Sequence, residues 1–230
     1  MKKILKIALI IIVLITVGCF YYLNDYYHAS KQALSLVDDY VFEGNSDIGI
    51  IFYPGGKVEA ESYAPLLNEL SKHDVTCLLL QMPFNLAVFD IDAAKGYKQQ
   101  YPHIKHWYLA GHSLGGSMAA SYLSSCEEQY DGLILLASYS TSDLSNKDYH
   151  ILSIYGSNDQ VLNKKKYQDN KEHLGYCLEY VIEGGNHAYF GDYGEQKGDG
   201  IASISRNGQI QETVNYIISN IKGPLNNGIE

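Results

Sequence analysis

Short apolar runs alternate with segments of helical periodicity from residue 48 onward. Near-continuous apolar runs are typical of strands that a sheet buries on both faces. The predicted strands are 48–53, 75–81, 106–110, 132–137, 150–155 and 176–182. Apolar residues recur at helical spacing in 61–71, 114–124 and 210–221. This alternation predicts an α/β fold with a mostly parallel, doubly wound sheet that helices cover on both faces.

The N-terminus carries a different pattern. Three lysines within the first six residues precede an apolar run over 7–23, close to the roughly 20 residues that a bilayer core requires. We interpret 1–23 as a signal anchor, a single transmembrane helix, because no small-x-small cleavage site precedes Phe20. The lysines place the N-terminus in the cytoplasm, so the catalytic domain is expected outside the cell membrane.

Two other readings of this segment stay open. A lipoprotein signal would use Cys19, with the small residue Gly18 before it. A cleaved signal would make the protein secreted. After the helix, 24–47 is predicted to be a connecting segment and 48–230 to form one domain.

Charge and composition limit the classes of partner that the protein is expected to bind. The net charge of −9 argues against nucleic acid, which needs clustered Lys and Arg. The one basic run, 164–166, is interpreted as a solvated helix face. The four cysteines show no metal-ligand spacing, so neither a metal nor a cofactor is expected.

Ser113 is the candidate nucleophile. It lies in Gly111-His112-Ser113-Leu114-Gly115, between a predicted strand and a helix of small residues. A sharp strand-to-helix turn exposes a serine hydroxyl, and flanking glycines permit the tight turn. The hydroxyl is a weak nucleophile and needs a base beside it.

His187 is the candidate base, because it alone of eight histidines follows the last predicted strand on a glycine-rich loop. The orienting acid is expected between the serine and the histidine. Asp159 follows the strand 150–155 directly, with Asp143 and Asp148 as alternatives. Asp159 would hold the imidazole in the tautomer that accepts a proton.

An oxyanion needs backbone amides already in place. Leu114, directly after the nucleophile, is expected to supply one donor. Gly56, in the Pro54-Gly55-Gly56 turn after the first strand, is expected to supply the other. A plain turn is the alternative interpretation of that loop. Phe84, Tyr189 and Phe190 follow strand ends and are predicted to line a substrate rim.

Four stretches together resemble the small α/β-hydrolase fold-5 group, which is distantly similar to dienelactone hydrolases. They are Tyr53-Pro54-Gly55-Gly56-Lys57-Val58, the Ser113 elbow, Gly156-Ser157-Asn158-Asp159 and Gly184-Gly185-Asn186-His187-Ala188. The order Ser, Asp, His is also that of the α/β-hydrolases. The resemblance implies a lidless fold, since the connection 137–150 is short where many relatives insert a lid, and ester-type hydrolysis. Dienelactone hydrolases carry cysteine at the Ser113 position, so their substrate class is not transferred.

The sequence therefore predicts a serine hydrolase that acts on a small-molecule ester, thioester or amide through an acyl-enzyme, most simply a carboxylic ester hydrolase. An acyltransferase of the same fold uses the same triad and remains the alternative within chemistry. A non-catalytic binding module of the cell envelope is the alternative outside it.

Overall fold

Seven strands form one sheet in the computed structural model, which describes residues 2–221 of the chain. The strands are β1 (Val41–Phe42), β2 (Ile48–Tyr53), β3 (Thr76–Leu79), β4 (His106–His112), β5 (Gly132–Leu136), β6 (His150–Gly156) and β7 (Cys177–Ile182). The α-helices are α1 (Lys2–Asn24), α2 (Lys31–Leu34), α3 (Ala64–Ser71), α4 (Leu114–Ser125), α5 (Lys164–Asp169) and α6 (Arg206–Ile221).

The strand order is β1-β3-β2-β4-β5-β6-β7. Every neighbouring pair is parallel except β1 with β3, which is antiparallel. The sheet is therefore mostly parallel, as predicted. In such sheets the carboxyl ends of the strands share one edge, where ligands bind.

Both faces of the sheet are covered. Ile50 and Phe52 of β2 face one core cluster, which α3 and α6 close, while Ile51 and Tyr53 face a second cluster, which α4 closes. This alternation follows from the period of two in a strand. Burial on both sides explains why β2 is an unbroken apolar run, and it confirms the doubly wound arrangement.

The predicted strands agree with the observed ones to within a few residues at each end. Strand β1 was not predicted, because two residues carry no periodic signal. The predicted helix 61–71 is divided into a 3₁₀ turn, Ala60–Tyr63, and α3, which has a proline in its first turn. The connection from β5 to β6 holds no helix or strand, so the fold has no large lid.

Helix α1 extends over 23 residues, and its apolar side chains from Ile4 to Tyr22 are exposed. At 1.5 Å per residue it is about 34 Å long, which is enough to cross a bilayer core of about 30 Å. By length and composition it is the one helix in the described chain with that capacity, and a signal sequence has the same properties.

Candidate active site

Ser113 sits on the turn between β4 and α4, with φ 51° and ψ −121°. A non-glycine residue rarely adopts this backbone, and strain of this kind is typical of a nucleophile elbow. The turn depends on Gly115, where a Cβ atom would lie 2.3 Å from the carbonyl oxygens of Tyr53 and Pro54. The missing side chain lets α4 begin directly against the loop after β2.

Asp159 and His187 are joined by a hydrogen bond of 2.9 Å between Oδ2 and Nδ1. Each residue is only 1 % exposed. The other carboxylate oxygen of Asp159 accepts from the backbone amides of Val161 and Leu162, at 2.9 and 2.8 Å. Because the ionised carboxylate only accepts, Nδ1 of His187 carries the proton and Nε2 is left as the acceptor.

Neighbouring parallel strands bring these two residues together. Asp159 follows β6 and His187 follows β7, and the two strands pair along their whole length. The loops pack backbone to backbone, since a Cβ atom on Gly156 would lie 2.3 Å from the carbonyl group of Gly185. The contact is possible only with glycine at this position.

A cavity of about 230 Å³ lies beside the elbow, and both Ser113 and His187 line it. The remaining lining residues are Leu114, Ser117, Ala137, Ser138, Tyr139, Val161, Leu162 and Asn163. The structure thus brings the predicted nucleophile, base and acid to one edge of the sheet, with the first two facing the same space. Asp143 and Asp148 are exposed and lie outside this lining.

Some backbone amides of the loop after β2 have a hydrogen-bond acceptor within the protein, and others do not. Gly55 N–H donates to the Tyr63 hydroxyl at 3.0 Å, and Lys57 N–H donates to the Asn85 carbonyl at 2.7 Å. Within residues 2–221 neither the Gly56 nor the Leu114 amide has an acceptor. A Cβ atom on Gly56 would lie 2.7 Å from the Leu114 side chain, so the two residues are close neighbours.

His112, the residue before Ser113, joins the two sides of the site. Its Nε2 lies 3.1 Å from the His187 carbonyl oxygen and its Nδ1 lies 2.8 Å from the Tyr63 hydroxyl. A carbonyl only accepts, so Nε2 carries the proton and Nδ1 accepts from Tyr63. Burial, with the His187 ring as a close neighbour, holds the pKa of His112 well below its usual value, consistent with a neutral ring.

The backbone around His187 is held by side chains from distant parts of the chain. Gln209 on α6 forms two hydrogen bonds with the backbone of Asn186, at 2.9 and 2.8 Å. Asp199 accepts from the Ala188 amide at 2.9 Å. Together with Tyr63 and His112, these residues have positioning contacts that the sequence analysis did not identify. The one sequence signal for such a contact is the position of Gln209, a polar residue on the mostly apolar face of α6.

The predicted rim is only partly at the surface. Phe84 is 58 % exposed, in a 3₁₀ turn beside the oxyanion loop. Phe190, in contrast, is fully buried and packs on the ring of His112, so the expectation that it touches substrate was wrong. Tyr189 lies under the guanidinium of Arg206 and is not among the residues that line the cavity. Packing against the His112 ring explains why Phe190, three residues after the base, is buried.

The described residues, 2–221, contain no cluster of three His, Cys, Asp or Glu side chains that could hold a metal ion.

Comparison with known proteins gives one family and many structures. A family model described as "Alpha/beta hydrolase family" matches residues 49–211. No curated protein matches this chain significantly. The solved structures described next are each below 25 % identical to this chain, and they show the fold alone.

Three of these structures illustrate the range. Est1E from Butyrivibrio proteoclasticus, solved with ferulic acid, has a TM-score of 0.59 at 13 % identity and covers 80 % of this chain and 94 % of its own. Esterase 2 from Thermogutta terrifontis, phosphoramylated by tabun, has a TM-score of 0.55 at 13 % identity, covering 78 % and 88 %. A protein of unknown function from Agrobacterium tumefaciens has a TM-score of 0.57 at 20 % identity, covering 79 % and 88 %.

Proposed function

The chain belongs to the alpha/beta hydrolase family, and within it we propose that this protein is a serine hydrolase that cleaves an ester, thioester or amide through an acyl-enzyme. The observation that carries the proposal is the buried hydrogen bond between His187 and Asp159, which leaves Nε2 as a base on the cavity that Ser113 also lines.

The proposed first step joins Ser113 Oγ to the carbonyl carbon of the substrate. His187 Nε2 takes the hydroxyl proton, and Asp159 stabilises the imidazolium that forms. The carbonyl oxygen becomes an oxyanion, for which the unpaired amides of Gly56 and Leu114 are the donors. The tetrahedral intermediate then collapses, and the leaving group departs with the proton from His187.

The second step removes the acyl group. Water attacks the acyl carbon, gives its proton to His187, and the Ser113 oxygen leaves and takes that proton back. Free enzyme and a carboxylic acid result. The amides of Gly56 and Leu114 serve both steps, since each passes through an oxyanion at the same place.

A carboxylic ester is the substrate class we favour within this reaction. The proteins with a similar fold include Thermogutta terrifontis esterase 2, phosphoramylated by tabun, and Est1E, solved with bound ferulic acid. The cavity beside Ser113, of about 230 Å³, suits a small acyl group.

Hydrolysis of soluble p-nitrophenyl esters tests the proposal directly. A panel of increasing acyl length is assayed with the wild type and with Ser113→Ala, which we expect to lose about 10⁶-fold in kcat. Ser125→Ala is the matched control, because this exposed serine lies at the far end of the same helix. Turnover that survives Ser113→Ala would contradict the nucleophile assignment.

We further propose that α1 anchors residues 48–230 to the outer face of the cell membrane. The apolar helix and the lysines that precede it support this orientation. Protease added to intact cells should then digest the domain, with a cytoplasmic protein as the control. A domain that is protected until the cells are lysed would contradict the orientation.

A further inference from the structure

The segment after α1 is tied to the oxyanion loop. Tyr27 N–H donates to the Lys57 carbonyl at 2.8 Å, and Glu59 N–H donates to the Tyr27 carbonyl at 2.9 Å. The Lys57 ammonium lies 3.0 Å from Asp25 and 4.2 Å from the ring centre of Tyr22, in the last turn of α1. The end of the anchor helix and the residues after it therefore contact Lys57, the residue that follows Gly56 of the candidate oxyanion hole.

An exposed apolar patch adjoins the same loop. It consists of Phe84, Val88 and Phe89, which are 58, 44 and 58 % exposed. The two phenylalanine rings contact each other edge to face at 5.8 Å. Exposed apolar groups that cluster around a site, as these do, indicate a surface that meets a partner or a membrane.

The patch and the anchor lie on the same side of the site. Asn85, next to Phe84, accepts the Lys57 amide at 2.7 Å. Leu86 adjoins the same loop, 3.5 Å from where a Cβ atom on Gly56 would lie. Anchor end, oxyanion loop and apolar patch are thus consecutive neighbours in space.

Phe84 also has an unusual backbone. It and Asn85 adopt φ values of 55° and 54°, in the left-handed region that a phenylalanine rarely occupies. In the described structure Phe84 gains little burial in return, since more than half of it stays in water. A strained and exposed aromatic side chain points to a contact outside the folded chain.

We propose that the patch of Phe84, Val88 and Phe89 inserts into the bilayer that α1 crosses. The mouth of the Ser113 cavity then opens at the membrane surface, and the substrate is an acyl ester held in the membrane. The substrate part rests on the proposed hydrolase function. Apolar insertion, not charge, supplies the attraction, because the chain carries a net charge of −9.

Tryptophan fluorescence tests the insertion without any assay of activity. The chain has one tryptophan, Trp107, which is 1 % exposed in the core and gives a constant background. The full-length protein with Phe89→Trp is reconstituted in phosphatidylcholine vesicles with and without brominated acyl chains. Emission from the added tryptophan should shift to shorter wavelength and be quenched by the brominated lipid.

Tyr176→Trp is the matched control. Tyr176 is aromatic and 81 % exposed, but it precedes β7 and so lies at the opposite edge of the sheet. Its tryptophan should stay at long wavelength without quenching. Equal responses of the two variants to the brominated lipid would overturn the proposal.

A kinetic measurement tests the substrate class. We compare the rate on a short-chain acyl ester of a long-chain alcohol, embedded in vesicles, with the rate on a soluble ester of the same acyl group. Val88→Ser with Phe89→Ser should lower that ratio about tenfold or more, because the two substitutions remove the apolar area whose burial drives insertion. An unchanged ratio would overturn the membrane substrate. Ser113→Ala should abolish both rates and leave the quenching unchanged. The insertion proposal and the hydrolase proposal can therefore fail separately.

Discussion

Two regions that adjoin Ser113, the acid–base pair on one side and the apolar patch beside the oxyanion loop on the other, differ sharply in burial. On one side, Asp159 and His187 are each 1 % exposed, bonded to each other, and surrounded by further hydrogen bonds. On the other side, Phe84 and Phe89 are more than half exposed, and no part of the described chain covers them. The buried side holds atoms at defined positions, which proton transfer requires. The exposed side presents apolar surface, which has a function only if something outside the chain covers it.

Substitutions on the buried side should therefore strongly reduce the rate of the chemical step. Substitutions on the exposed side should affect only contacts with the membrane.

After the loss already expected for Ser113→Ala, the largest effect is expected from Asp159→Asn. An amide group at this position would donate to Nδ1 of His187 and leave the proton on Nε2, which then cannot accept from Ser113. We expect kcat on a soluble ester to fall by about 10⁴-fold with little change in structure. Asp143→Asn, at an exposed acid between the serine and the histidine, is the control and should retain full activity. If activity were lost with Asp143→Asn and retained with Asp159→Asn, Asp143 would be the acid and the assignment of Asp159 would be wrong.

Tyr63→Phe tests the contact between the two sides. The substitution removes the acceptor of the Gly55 amide and the donor to His112, and it leaves both buried without a partner. The free energy of unfolding should fall by about 1–3 kcal/mol in urea denaturation. Tyr180→Phe removes a half-exposed hydroxyl and should change stability by less than about 0.5 kcal/mol. Equal losses of stability in the two variants would show that the buried hydrogen bonds of Tyr63 stabilise the fold no more than an exposed one does.

The neutral state of His112 predicts a pH dependence of stability. Its pKa in the fold is depressed, whereas in the unfolded chain it is about 6.5. Unfolding therefore takes up a proton once the pH falls below about 6.5, and stability that is complete above that pH is lost below it. The slope approaches about 1.4 kcal/mol per pH unit. Burial also lowers the pKa of His150, which adds a contribution of the same sign.

This slope is measured by urea denaturation at a series of pH values between about 5 and 8. His112→Asn should flatten it, and His103→Asn, at an exposed histidine, should leave it unchanged. A slope that survives His112→Asn would assign the proton to another group.

The smallest effect is expected from Phe84→Asn on the exposed side. Asparagine tolerates the left-handed backbone better than phenylalanine, and little buried area is lost. Stability should stay within about 0.5 kcal/mol of the wild type or rise slightly. A loss of several kcal/mol would mean that Phe84 belongs to the core, and the contrast between the two sides would fail.

Sequence patterns predicted the frame of the site well. Strands such as β2 are unbroken apolar runs because both faces of the sheet are buried, and the Ser113 elbow has its glycines where two backbones touch. The elbow and the strand ends therefore followed from local residues alone.

The supporting contacts did not follow from the sequence, because they join residues far apart in the chain. Tyr63 meets His112 across 49 positions, and Gln209 meets Asn186 across 23. Phe190 was assigned to a rim because it follows the base, but packing on His112 decides its burial. Strand β1 has only two residues, and its position depends on pairing with β3.

Covalent labelling with a fluorophosphonate, followed by peptide mapping in a mass spectrometer, tests the central claim most directly. The reagent reacts with an activated serine, and the chain contains several serines that are as exposed as Ser113. A single adduct on the peptide that contains Ser113, absent from His187→Ala, is the predicted result. An adduct on any other residue, or equal labelling of Ser113 without His187, would contradict the proposed nucleophile and base.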